Sequence, residues 1–119
     1  MLKNLLFVGL GGAVGSMLRY TIQRFVNDPF FPYGTLLVNI AGCFFIGLLW
    51  GLLNKNTITQ GTSLLLMSGF CGGFTTFSAF TQEGVQMIND NRWAMLCMYT
   101  GASVVGGLLA SFTGYKLTG

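Results

Sequence analysis

The sequence predicts an all-α membrane protein of four transmembrane helices whose third helix is broken near its middle. Three observations carry that reading. Only 8% of the 119 residues are charged and 52% are hydrophobic, with a mean hydropathy of +0.64, whereas soluble domains carry roughly 25% charged residues. Four apolar segments each reach the roughly 20 residues that a bilayer crossing needs. The longest of them contains GFCGGFTTFSAF (Gly69–Phe80), a stretch that resists being helical. Residues 1–119 read as a single four-helix transmembrane domain, multi-pass in the cell membrane.

The first segment runs from Leu5 to Val26. Its apolar run outlasts the core of a signal peptide, so it reads as a retained helix. Gly11 and Gly15 form a GxxxG, which lets membrane helices approach closely. Arg19 is expensive in lipid, so it either snorkels to the headgroups or serves function. Asp28, Pro29 and Pro32 in the loop Asn27–Gly34 forbid a continued helix.

The second segment, Thr35 to Leu53, carries a stripe of Asn39, Cys43, Gly47 and Gly51. Asn39 offers two N–H donors without a charge, for an interhelical hydrogen bond or for an ion. The polar stretch Asn54–Gly61 leads to the third segment, Thr62 to Ile88. At 1.5 Å per residue an unbroken helix of that length would span about 40 Å, more than a bilayer requires. Gly72 and Gly73 each cost about 1 kcal/mol relative to alanine in a helix, and Thr75-Thr76 adds β-branching. A break in lipid frees backbone groups that must be met by protein, water or a bound ion. Carbonyls near Gly72 and Thr75 could coordinate a small cation, as unwound segments do in transporters.

Beyond the break, Phe77 and Phe80 are three apart and share a helical face. Their ring edges are positive and could hold an anion weakly, as a conducting pore requires; the plainer alternative is packing, as for most of the 11 phenylalanines. Ser78 has no base beside it and reads as a hydrogen-bonding helix residue. Glu83, three residues beyond Phe80, is a vestibule residue, a hydrogen-bond acceptor, or simply solvated. Asn89-Asp90-Asn91 makes a tight turn into the fourth segment, Trp93 to Leu117, which carries a stripe of Tyr99, Ser103, Gly107, Ser111 and Tyr115.

With four crossings both termini share a side. That side carries Lys3, Lys55 and Lys116, while the other has Arg24 and Arg92, with Arg19 inside the first helix. Orientation follows an excess of positive charge on one side, and here the sides nearly balance. Either a small bias fixes one orientation, or the chain inserts both ways and forms an antiparallel pair. Four short helices enclose little volume, so a pathway at a subunit interface is more natural than one through a single chain.

Several function classes fall away. A net charge of +3, dispersed, does not suggest nucleic acid. There is no histidine, the carboxylates are Asp28, Glu83 and Asp90, and no acidic pair or general base faces a nucleophile. An enzyme is not expected, nor an organic cofactor. Cys43, Cys71 and Cys97 lie in apolar runs without metal-ligand spacing. Transport is the better class.

GGAVGSMLRY (Gly11–Tyr20), YGTLLVNIAG (Tyr33–Gly42) and GFCGGFTTFSAF, in this order on four helices, resemble the CrcB/Fluc family of bacterial fluoride channels. The resemblance implies a dual-topology antiparallel homodimer in membrane lipid, with two fluoride pores along the subunit interface. It also implies a central structural Na⁺ on backbone carbonyls at the break, here Gly72 and Thr75. Phe77 and Phe80 would be the aromatic box beside the fluoride path, Asn39 would donate to the ion, and Arg19 would sit at the vestibule or anchor structure. Thr35, Ser78, Glu83, Tyr99 and Ser103 fall at pore-lining or supporting polar positions. Ala79 and Gly107 stand where many members have a hydroxyl. Since Arg19, Asn39, Phe77 and Phe80 are all present, this copy could serve both pores without a paralogue. The competing reading is a small dual-topology multidrug exporter, a class that couples through a glutamate on its first helix, where this chain has only Arg19.

Overall fold

A computed structural model describes residues Met1–Gly119. Four helices are long and apolar enough to cross a membrane: α1 (Leu2–Val26), α2 (Tyr33–Asn54), the third crossing Gln60–Asn89, and α5 (Trp93–Thr118). The third crossing has two parts, α3 (residues 60–74) and α4 (Phe77–Asn89). The expected crossings and the broken third helix are therefore present, and there are no strands.

The interruption falls on Thr75 and Thr76, three residues past Gly72. Thr75 (φ −88°, ψ 157°) and Thr76 (φ −150°, ψ 122°) are extended, whereas Gly72 is helical (φ −60°, ψ −38°). β-Branched side chains accept extended backbone readily, and both hydroxyls bond to nearby backbone, that of Thr76 taking up an N–H freed by the break. The Thr75 hydroxyl donates to the Cys71 carbonyl at 2.9 Å, and the Thr76 hydroxyl accepts the Ala79 N–H at 3.2 Å, capping α4. Before the break, Leu64–Cys71 is wound as a wide π-helix, a form that recurs at functional sites.

Glycine decides which helices touch. A Cβ at Gly11 would overlap the Leu65 carbonyl oxygen, one at Gly15 the Phe70 carbonyl oxygen, and one at Gly73 would lie 2.5 Å from the Gly12 carbonyl oxygen. The GxxxG of α1 thus seats α3 backbone to backbone, and Gly73 answers it from the other side. On α2, Gly47 meets the Ser111 backbone and Gly51 meets Thr118, while Gly114 of α5 meets Phe44 and Leu48. The α2 stripe works as expected. On α5 the close approach is shared by Ser111 and Gly114, and Tyr115 instead stacks beside Trp50 with ring centroids 4.9 Å apart.

The core is thin: Val38, Leu49, Cys71, Phe74, Met87 and Tyr99 are the buried apolar side chains, while Val14, Met17 and Leu108 on outer faces are exposed. Such a surface suits acyl-chain solvent. Asn56 and Asn91 adopt left-handed backbone (φ 57° and 56°) and end α2 and α4, a conformation asparagine tolerates better than most residues. Arg92 ties the two loops on one side together. It pairs with Asp90 at 3.2 Å, lies over the Phe30 ring and donates to the Phe30 carbonyl.

Candidate functional site

The break redirects three backbone bonds, and each redirection has a named cause. In a continuous helix the Thr76 N–H would close onto the Gly72 carbonyl; here it donates to Asn39 Oδ1 at 2.7 Å. The Ala79 N–H would close onto the Thr75 carbonyl but goes to the Thr76 hydroxyl, leaving the Thr75 oxygen without a hydrogen bond from the chain. The Gly73 carbonyl, deprived of its partner beyond the break, receives Arg19 Nε at 2.9 Å from α1. Asn39 Nδ2 also donates to the Thr76 carbonyl at 3.0 Å, so the amide holds the extended residue from both sides and keeps one N–H.

Beside this break lies an open groove of about 370 Å³ whose lining includes Asn39, Gly72, Thr75, Phe77, Phe80 and Ser103. Cys43, Ile46, Met67, Cys71 and Val104 complete its apolar wall, and no ionised side chain lines it. Ser103 Oγ is buried without a hydrogen-bond partner, which costs free energy unless something else meets it. The Phe77 and Phe80 rings sit 5.7 Å apart, and Phe77 is 76% exposed. Phe80 also touches Tyr99, at 5.0 Å between centroids, and so joins the groove to a second cluster.

That cluster is built on Glu83. Its carboxylate accepts from the Tyr99 hydroxyl at 2.8 Å, the Thr35 hydroxyl at 2.7 Å and Asn27 Nδ2 at 3.3 Å. Thr35 and Tyr99 are fully buried, and the Thr35 hydroxyl also accepts Gln23 Nε2 at 3.0 Å. Asn27 Oδ1 receives the Thr35 N–H at 3.0 Å, satisfying a first-turn donor of α2 that has no partner within its own helix. Gly34 makes this junction fit, since a Cβ there would lie 2.7 Å from Asn27 Oδ1. A smaller cavity of about 90 Å³, lined by Asn27, Asp28, Glu83 and Arg92 among others, opens on the loop side of the cluster.

Nine of the eleven sequence-expected positions therefore belong to the groove or the Glu83 cluster. The other two lie apart. Ser78 is exposed on the turn after the break and pairs only with the Thr76 hydroxyl at 3.3 Å; Arg19 stands behind the break, bonded to Gly73 and to Gln23. Gln23 and Asn27 were missed. Their signal is a polar ladder along α1 and its C-cap, Arg19, Gln23 and Asn27 at intervals of four, the spacing of one helical face.

Four apolar crossings, the third opened beside a groove of neutral donors and aromatic rings, define a small multi-pass membrane protein with an intramembrane polar site. The chain matches the family described as CrcB-like protein, Camphor Resistance (CrcB), over residues 6–115, and it belongs to that family. It is 41% identical over 117 residues to the fluoride-specific ion channel FluC of Flavobacterium psychrophilum, covering 95% of this chain and 94% of that one. It is 38% identical over 122 residues to FluC of Azobacteroides pseudotrichonymphae, covering 99% and 98%. With FluC 2 of Rhodococcus jostii the identity is 43% over 116 residues, covering 97% and 98%.

Proposed function

We propose that this chain is a fluoride-specific channel, not an enzyme, in which residues 1–119 form one transmembrane domain and two copies assemble antiparallel in a bacterial membrane. Fluoride leaves the cytoplasm passively through pores at the subunit interface. The observation that carries the reading is the groove lining: Asn39, Ser103, Phe77 and Phe80 meet with no ionised group among them. Fluoride is small and strongly hydrated, so leaving water requires replacement donors, and an ionised side chain in the groove would either trap or repel it. The spare N–H of Asn39, the orphaned Ser103 hydroxyl and the ring edges are donors of the weak, repeated kind that conduction needs. Thr35, Tyr99 and Glu83 continue the polar path beyond Phe80, with Ser78 at its exposed flank.

Arg19 fits the structural half of its expected roles, because its charge is spent on Gly73 and Gln23 outside the groove. The Thr75 carbonyl, without a partner, and the Gly72 carbonyl, deprived of the Thr76 N–H, suit a hard monovalent cation such as Na⁺. Held by these two carbonyls, such an ion would supply positive charge that could tie the broken segment to that of a second copy. The multidrug-exporter alternative is disfavoured because α1 carries no carboxylate.

The deciding experiment is efflux from liposomes containing only this purified chain. Rapid fluoride release with chloride retained is expected; retention of fluoride overturns the reading. Replacing Na⁺ by a large organic cation throughout purification should weaken the dimer or its flux, and indifference to Na⁺ removes the cation site.

A further inference from the structure

We infer that Gln23, on a helix that does not line the groove, is a positioning residue that fixes the direction of the Thr35 hydroxyl. Arg19 carries a guanidinium that can only donate. Its Nη1 lies 3.3 Å from Gln23 Oε1, so that end of the amide must be the oxygen, and Nε2 is turned toward Thr35 Oγ1 at 3.0 Å. An N–H can only donate, so it occupies a lone pair of the hydroxyl. The Thr35 proton is then left for Glu83 Oε2 at 2.7 Å. A donor-only guanidinium at one end and an acceptor-only carboxylate at the other thus orient every bond between them: Arg19 to Gln23, Gln23 to Thr35, Thr35 to Glu83.

Without Gln23 the hydroxyl has an alternative acceptor in the Tyr99 oxygen, its neighbour on the Glu83 carboxylate. Thr35 is fully buried, so water cannot correct the choice. Asn27 does not substitute for Gln23, because it touches the Thr35 N–H and Glu83 but not the hydroxyl. The same chain of bonds ties the broken third helix to the Glu83 cluster through α1. The inference rests on the proposed channel reading only where flux is the measurement.

The test uses Gln23→Glu and Gln23→Met in the full-length protein. Glutamate would still accept from Arg19 but would compete with Glu83 for the single Thr35 proton, drawing the hydroxyl toward α1; methionine keeps volume and removes the donor. Fluoride flux through Gln23→Glu should fall roughly tenfold, the scale of one redirected buried hydrogen bond, while in a Thr35→Val background the same change should have no further effect. Wild-type flux in Gln23→Glu, or losses that multiply across the two sites, overturns the inference. Independently of flux, the infrared carboxylate band of Glu83, assigned by difference against Glu83→Gln, should shift in Gln23→Met. An unmoved band also overturns it. Absence of flux from the wild-type chain, with the band shifted as expected, sinks the channel reading and leaves the positioning role standing.

Discussion

Asn39 and Thr76, 37 positions apart, exchange two hydrogen bonds, N–H to Oδ1 at 2.7 Å and Nδ2 to carbonyl at 3.0 Å. The pair reproduces on a side chain what a neighbouring strand would offer an extended residue. It explains how a membrane helix can open at Thr76 without stranding that residue's N–H or carbonyl, the cost that otherwise forbids irregular structure in lipid. It also explains why a donor suited to an anion lies beside the break: the amide is anchored there by its other two atoms.

Asn39→Ala should therefore damage both fold and flux. Loss of two partly buried hydrogen bonds is expected to destabilise the protein by about 1–3 kcal/mol, visible as a lower melting temperature in detergent, together with loss of fluoride efflux. Normal melting would show that the brace is dispensable.

Ser103→Ala should separate the two properties. The hydroxyl is buried and unpaired, so its removal should leave stability unchanged or raise it by up to about 1 kcal/mol. Flux should fall nonetheless, because a replacement donor is gone. A clear drop in thermal stability would mean that the hydroxyl has a structural partner.

Phe80→Ile should abolish fluoride efflux while dimers, judged by size-exclusion chromatography, remain intact. Isoleucine fills comparable space beside Tyr99 but has no positive ring edge. Wild-type-like flux would remove Phe80 from the pathway.

Glycine substitutions probe the assembly. Gly15→Ala should destabilise the protein by about 1–3 kcal/mol through overpacking against α3 backbone, whereas Gly9→Ala and Gly101→Ala, with open space at the Cβ position, should be neutral. Gly72 also has open space, so any loss of dimer or Na⁺ dependence in Gly72→Ala reports on a second copy at the break. Full activity with an unchanged Na⁺ response would place the interface elsewhere.

Hydropathy and local propensity are properties of neighbouring residues, and on their own they determined the four crossings, the turn at Asn89–Asn91, the interruption of the third helix and the small-residue faces. They also singled out Asn39, Phe77, Phe80 and Glu83, because polar and aromatic residues around a weak helical stretch stand out in an apolar chain. Tertiary structure alone decided that the threonines rather than the glycines leave the helix, since Asn39 and Arg19 reach the freed groups from α2 and α1. It likewise decided that Gln23 and Asn27 serve Thr35 and Glu83. Those pairings join residues up to 56 positions apart, and they depend on how far each helix is rotated about its axis. That rotation is set by backbone contacts at Gly11, Gly15, Gly34 and Gly47, which hydropathy along a single segment does not encode.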